Sequence, residues 1–88
     1  MHHKSPAIGD IVVSLSGHDA GKYFVVVAEV SADFVLIADG KTRKLESPKL
    51  KRKKHLRVVG EGSEAPTNAA LKTRIKKFIS ERRLYAEK

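Results

Sequence analysis

Apolar residues occur in short runs through residues 8–60, with polar turns between them. The runs are strand-sized and rich in Val, Ile and Phe, which favour the half-buried surface of a pleated sheet. We identify five strand candidates, at residues 8–15, 22–30, 33–38, 42–45 and 56–59. Five short strands at this spacing predict a mostly β domain whose sheet forms a small closed or half-closed barrel.

Turn-forming residues separate these candidates. The breaks lie at residues 16–21, 31–33, 39–40 and 47–48, and each contains Gly, Pro, Ser or Asp. Asp39-Gly40 lies between two strand candidates, where Asp-Gly is a strong hairpin signal. Both central positions of a type I′ turn require positive φ, which these residue types tolerate. The sequence therefore predicts a tight hairpin at Asp39-Gly40.

The spacing of the apolar residues changes after residue 66. The later apolar positions fall on one face of a helix, at Leu71, Ile75, Phe78 and Ile79. Thr67 or Asn68 is a suitable N-cap. We expect the apolar stripe to pack on the barrel and the opposite face to be basic. The predicted organisation is a tail (1–7), a barrel (8–60), a linker (61–66) and a basic amphipathic helix (67–88).

Positive charge is concentrated in residues 41–57, called the basic segment below. The protein has 18 Lys and Arg against 10 Asp and Glu, a net charge of +8. The basic segment contains nine basic residues and one acid, Glu46, so it alone carries a charge equal to that of the whole chain. Positive charges this close together repel one another, and binding to a polyanion, most often nucleic acid, reduces that repulsion.

Composition narrows the classes of function. The 88 residues make one small domain, and the absence of cysteine excludes disulfides, thiol-ligated zinc and a cysteine nucleophile. No apolar run has membrane-spanning length, and the N-terminus lacks the apolar stretch of a signal peptide. The histidines lack metal-site spacing, and no nucleophile elbow, phosphate-binding loop or dinucleotide fingerprint occurs. We expect a cytoplasmic, non-enzymatic protein without metal, cofactor, membrane or small-molecule partner.

The order of several short motifs supports a resemblance to a known family. GDIVVS (9–14), SGHDAGK (16–22) and FVVV (24–27) together resemble a KOW motif, a strand, glycine-containing loop and strand of an SH3-like barrel. DGK (39–41), RK (43–44), PK (48–49) and HL (55–56) continue the pattern, which departs from the family at Leu50 and Lys53. Residues 8–60 are similar to small bacterial KOW-domain RNA-binding proteins, which resemble KOW-type large-subunit ribosomal proteins of archaea and eukaryotes. The resemblance implies an SH3-like five-stranded barrel that binds ribosomal RNA at or near the large subunit.

The candidate RNA-binding residues lie in the first loop and in the basic segment. Gly17 and Gly21 permit positive φ and can bring backbone N–H groups close to a phosphate. His18 and Tyr23 can stack on an unpaired base or bond a ribose hydroxyl. The arginines can make bidentate contacts that lysine cannot. The full set is Gly17, His18, Gly21, Lys22, Tyr23, Lys41, Arg43, Lys44, Lys49, Lys51, Arg52, Lys53, Lys54, His55 and Arg57.

The same features leave alternatives open. The two glycines can serve only as turn residues, Tyr23 is of a type that more often packs at the edge of a core, and His18 can be a solvated loop residue. KOW and other SH3-like barrels also bind polypeptides, so an acidic protein partner is one alternative. Charge alone could also drive non-specific nucleic-acid binding, and the C-terminal helix either contacts RNA or only packs on the barrel.

Overall fold

The computed structural model describes residues 5–62, 65 and 67–86. Four of its five strands lie where the apolar runs predict them, and one helix follows the change of spacing. The elements in chain order are β1 (Ile11–Ser14), β2 (Tyr23–Glu29), β3 (Phe34–Ala38), β4 (Lys49–Arg52), a 3₁₀ turn (Lys53–His55), β5 (Leu56–Gly60) and α1 (Asn68–Ala86). The mostly β class and the C-terminal helix are confirmed.

The strands form one antiparallel sheet in the order β4-β3-β2-β1-β5. Two ladders contain an extra residue: Val27 of β2 opposite β3, and Val59 of β5 opposite β1. A β-bulge bends its strand and increases the local twist. The bulges therefore let the short strands curve around a small core.

The inner face of the sheet holds one apolar cluster. Its side chains come from β1, β2, β3 and β5, and they are Val12, Phe24, Val26, Val35, Ile37, Leu56 and Val58. Phe24, Val26 and Ile37 are almost completely buried. β4 differs because its inner-face residues, by register with β3, are Lys49 and Lys51. The inner face is thus apolar over four strands and basic at one edge.

On the outer face of the sheet, α1 covers residues of β1 and β2 and the last residue of β3, Ala38. Leu71 is fully buried beside Val25 and Ala38, and Ile75 and Phe78 pack against the same cluster. Ala65, in the segment expected to be a linker, is also buried there. The fourth residue of the predicted stripe, Ile79, remains 38% exposed.

The start of α1 is held by side chains on both sides of its first turn. The Thr67 hydroxyl accepts a hydrogen bond from the Ala70 N–H at 3.0 Å, which confirms Thr67 as the N-cap. The Asn68 side chain accepts from the Leu45 N–H at 2.8 Å and donates to a Glu46 carboxylate oxygen at 2.6 Å. These bonds attach the helix to the β3–β4 loop (residues 39–48).

The prediction of a barrel needs correction, because the sheet is open. Within the described residues no ladder joins β4 to β5, and these two strands are the edges of the sheet. Lys49 and Lys51 explain part of this result. Their ammonium groups require polar partners rather than a dry apolar surface, so the β4 edge stays polar.

The fourth strand and its turn also differ from expectation. Residues 42–45 form no strand, and β4 begins at Lys49 instead. Asp39 does not adopt positive φ, so Asp39-Gly40 is not a type I′ turn, although Gly40 has φ +78°. The Asp39 carboxylate instead accepts bonds from the Lys41 and Arg43 N–H groups. This local bonding favours a long loop over a two-residue hairpin.

Candidate nucleic-acid interface

The β1–β2 loop (residues 15–22) is a compact turn that depends on its glycines. Gly17 and Gly21 have φ of +77° and +85°, so the predicted positive φ at both positions is confirmed. The Gly21 N–H donates to the Ser14 carbonyl at 2.8 Å, and the Ala20 N–H donates to the Gly17 carbonyl at 3.2 Å. The loop therefore has a defined shape in which Gly17, His18, Gly21 and Lys22 are exposed.

Two lysines of β4 reach across the inner face to this loop. Lys49 forms a salt bridge with Asp19. The Lys51 ammonium donates to the Ser16 carbonyl at 3.2 Å and lies close to Gly17. β4 and the β1–β2 loop are distant in sequence, and these bonds join them into one surface.

The salt bridge changes the titration of Asp19. The hydrogen bond and positive charge of Lys49 hold the pKa of Asp19 below its usual value, against the opposing effect of burial. Lys22 and Arg43 lower it further through their charges. Asp19 is therefore ionised at neutral pH and sits within a cluster of cations drawn from three segments.

The 3₁₀ turn Lys53–His55 is bonded to the same loop and to the other side of the sheet. The Leu15 N–H donates to the His55 carbonyl at 2.8 Å. The Lys53 N–H donates to the Asp33 carbonyl, and its ammonium donates to a Glu29 carboxylate oxygen at 2.8 Å. Lys54 lies between these anchored residues with an exposed side chain.

The β3–β4 loop presents further cations from a well-bonded frame. The Asp39 and Gly40 N–H groups donate to the Arg43 carbonyl, and the Thr42 hydroxyl donates to the Asp39 carboxylate. Burial raises the pKa of Asp39, but the donors from Arg43, Lys41 and Thr42 outweigh it and hold that pKa below its usual value. The side chains of Lys41, Arg43 and Lys44 are exposed.

The structure brings nine of the fifteen predicted residues together. We define the loop–strand surface as a subset of these residues, drawn from the β1–β2 loop, the inner face of β4, the end of the 3₁₀ turn and Arg43 of the β3–β4 loop. Its members are Gly17, His18, Gly21, Lys22, Arg43, Lys49, Lys51, Lys54 and His55. In this set, the glycine-containing turn of the β1–β2 loop is next to the lysines of β4 that bond to it.

Other predicted residues lie elsewhere. The Tyr23 ring packs edge to face on Phe78 of α1, with ring centroids 5.6 Å apart, on the opposite face of the sheet from Lys49 and Lys51. Arg57 pairs with Val13 and shares that outer face. Lys53 is paired with Glu29, and Arg52 lies over Phe34. Lys41 and Lys44 are exposed in the β3–β4 loop.

Sequence reasoning missed two features of the site. Asp19 appeared only as one acid in a turn, whereas in the structure it is the anchor for Lys49. Phe34 was assigned only to a strand, whereas its ring lies beneath the Arg52 guanidinium. Both contacts join segments that are far apart in sequence. The pairing of Phe34 with Arg52 follows from the register of β3 against β4, and predicting it from the sequence requires the correct position of β4.

Two other kinds of feature are absent from the described part of the chain. Its His, Asp and Glu residues form no group of three or more that could hold a metal ion. In that same part, no helix has the length and apolar character needed to span a membrane.

Comparison with known proteins leaves the family undecided. No protein family model matches this sequence, and no curated protein matches it. The KOW resemblance stays a prediction that rests on the motif residues.

Proposed function

We propose that this protein is an RNA-binding module of the KOW type that acts on structured RNA. Ribosomal RNA at or near the large subunit is the favoured target, because the motif residues resemble those of ribosomal KOW proteins. The loop–strand surface is the contact surface. It binds RNA by neutralising phosphates and by fitting the shape of the backbone rather than by reading a base code.

One observation carries the proposal. The glycine-containing loop and the basic strand, which the motif places far apart in sequence, are bonded to each other through Lys49 and Lys51. A phosphate that approaches the loop therefore meets cations from both segments, Lys22 of the loop and Lys49 and Lys51 of β4. Ser16, Gly17 and Asp19 set the position of these cations, so the surface is organised before RNA arrives. Preorganisation reduces the entropy lost on binding.

Binding should depend strongly on salt. Contact with several phosphates releases counterions, so the logarithm of affinity falls linearly with the logarithm of salt concentration, with a slope of about −4 to −7. The measurement is fluorescence anisotropy of a labelled RNA hairpin over a series of KCl concentrations. A slope near zero would contradict the proposal.

A triple variant locates the contact. Lys22, Arg43 and Lys54 have exposed side chains on the loop–strand surface. Replacing all three with Gln should weaken hairpin binding at least about tenfold and reduce the magnitude of the salt slope by about 2. The fold should survive because the bonds of Lys49 and Lys51 to the loop remain, and circular dichroism checks this.

The matched control removes the same charge from the helix. Lys76, Lys77 and Arg82 are also two lysines and one arginine with exposed side chains. Their replacement with Gln should change affinity by much less than the loop–strand variant. Equal losses from both triples, together with equal binding to duplex DNA, would identify non-specific attraction by charge instead.

The ribosomal target requires a measurement in the native cells. Ultraviolet crosslinking and sequencing of the attached RNA should give reads concentrated in one region of large-subunit ribosomal RNA. Reads spread over messenger and transfer RNA would retain RNA binding and reject the ribosomal target. Recovery of a nuclease-resistant protein complex without crosslinked RNA would support a protein-interaction module instead.

A further inference from the structure

The strand β4 has a second face that α1 does not cover. The register pairs Phe34 with Arg52 and Leu36 with Leu50, so these four side chains share the outer face of β3 and β4. We call them the outer patch. None of the four belongs to the apolar cluster beneath α1, and Leu50 is 53% exposed. Leu50 therefore adds apolar surface to an edge strand whose other residues are all basic.

The outer patch contains a stacked arginine. The Arg52 guanidinium carbon lies 5.1 Å from the centroid of the Phe34 ring, which is the geometry of a cation–π contact. Arg52 is exposed and Phe34 is half-buried, so the sheet supports the ring from below while the guanidinium faces solvent. A planar cation held on an aromatic ring presents a flat surface for another planar group.

We infer that the outer patch is a stacking site for one unpaired nucleobase of the bound RNA, an inference that rests on the proposed function. The base stacks on the Arg52–Phe34 pair, and the apolar Leu50 side chain contacts its edge or its sugar. Unpaired RNA bases are commonly held on aromatic rings or guanidinium planes, whichever base is present. The site therefore takes an unpaired base without strong sequence preference.

The charge around the patch favours a polyanion such as RNA over an apolar protein partner. β4 carries Lys49 and Lys51 on its inner face and is followed directly by Lys53 and Lys54. Between described residues, the ion pairs of this stretch are Lys49–Asp19 and Lys53–Glu29, which leave its net charge positive. An RNA strand that runs along the β4 edge can place its phosphates near these cations while one of its bases turns onto the outer face. A purely apolar protein docking site would not require such charge.

Two conservative variants test the site. Arg52→Lys keeps the positive charge and removes the planar guanidinium, and Phe34→Leu keeps an apolar side chain and removes the ring. The probe is an RNA hairpin with an adenosine loop, compared with a fully paired RNA duplex containing the same number of phosphates. Each variant should weaken hairpin binding about fivefold or more and leave duplex binding within about twofold.

The helix supplies the matched control. Arg82 also lies over an aromatic ring, with its guanidinium carbon 5.6 Å from the Phe78 centroid. Arg82→Lys makes the same chemical change at that second stack and should leave hairpin binding unchanged. Thermal unfolding of all variants establishes that Phe34→Leu retains the fold, and Arg52→Lys tests the site separately if it does not.

An abasic loop identifies the base as the ligand. Removing single bases from the hairpin loop, with the phosphates retained, should weaken wild-type binding at one position at least. The same abasic RNA should show no further loss of affinity with Phe34→Leu, because the stacking contact is already absent.

Two results would overturn the stacking site: additive losses of affinity, or variants that bind the hairpin as well as wild type does. Salt-dependent RNA binding by the wild-type protein would still support the proposed function in either case. If these variants lose a protein partner while their RNA binding is unchanged, the patch belongs to that partner. If the wild-type protein does not bind RNA at all, the proposed function itself is rejected.

Discussion

Gly40 and Gly21 have similar backbone conformations and very different surroundings. Their φ values are +78° and +85°, in the region that L side chains rarely adopt. A Cβ on Gly21 would meet no atom within 4 Å, whereas a Cβ on Gly40 would lie 2.2 Å from the Asn68 carbonyl oxygen. Gly40 is therefore the position where the β3–β4 loop and the start of α1 meet with no room for a side chain.

This difference predicts different costs for the same substitution. Gly21→Ala should lower the free energy of unfolding by about 1 kcal/mol, because only the backbone conformation is strained. Gly40→Ala adds a backbone clash and should cost about 2–4 kcal/mol. Urea unfolding of both variants measures the difference. Equal costs would mean that the helix start moves away without loss of stability.

At the scale of elements, α1 stabilises the outer face of the sheet through unequal contacts. Leu71 is fully buried against the sheet, while Ile79, on the same predicted stripe, is 38% exposed. The stripe therefore identifies the packed face of the helix but not the depth of each residue. The first turns of α1, which are also bonded to Leu45 and Glu46, hold the helix in place.

Alanine substitutions compare the two positions directly. Leu71→Ala should destabilise the fold by about 3 kcal/mol, since it removes buried atoms and leaves a cavity. Ile79→Ala should cost less than about 1 kcal/mol because much of its side chain already faces solvent. Thermal unfolding followed by circular dichroism gives both values. Similar losses would show that the end of α1 packs more tightly than the structure indicates.

At the scale of the whole molecule, a few carboxylates organise a large excess of positive charge. Asp19 bonds to Lys49, Asp39 accepts hydrogen bonds within the β3–β4 loop, and Glu46 bonds to Asn68. The pKa of each of these carboxyls is lowered, for Glu46 chiefly by the bond from the Asn68 amide. Protonating these groups removes their bonds and leaves the cations without compensation.

The lowered pKa values fix the direction of the pH dependence. A carboxyl with a lower pKa in the folded state contributes stability that is fully present above its unfolded pKa, about 4, and is lost as the pH falls through the folded pKa. We therefore expect wild-type stability to decline as the pH falls below about 4. Urea unfolding at a series of pH values measures this decline.

Asp39 supplies the matched comparison for this test. Asp39→Ala removes the acceptor of three hydrogen bonds and should cost about 1–2 kcal/mol at neutral pH. Asp39→Asn keeps one carbonyl oxygen for the Lys41 and Arg43 N–H groups and should cost less. The stability difference between wild type and Asp39→Asn should shrink as the pH falls. A difference that is constant with pH would exclude Asp39 as a contributor.

The predictability of the strands depended on which side chains they bury. β1, β2, β3 and β5 bury Val, Ile, Leu and Phe, so runs of these residues mark them in the sequence. β4 has Lys49 and Lys51 on its inner face, and it forms because it pairs with β3. Local composition does not reveal a strand whose position is set by its partner, so the sequence pattern predicts the fourth strand at residues 42–45 instead.

The sequence predicts many of the residues of the candidate site but not how they are arranged in space. The need for positive φ at Gly17 and Gly21, and the concentration of cations after residue 40, were readable from the chain. The division of β4 into a face bonded to the β1–β2 loop and a face with Arg52 over Phe34 was not. That division follows from the register of β4 against β3, a relation between distant segments.

The sequence by itself determined the mostly β class, the positions of four strands, the helix with its cap at Thr67 or Asn68, and the charge that points to a polyanion. Each of these depends on local spacing or on composition, which a single chain displays directly. The tertiary structure decided that the sheet stays open, that Tyr23 packs under α1, and that Lys49 and Lys51 join the β1–β2 loop. These outcomes depend on register and on contacts between distant segments, because burial and pairing are set only when those segments meet.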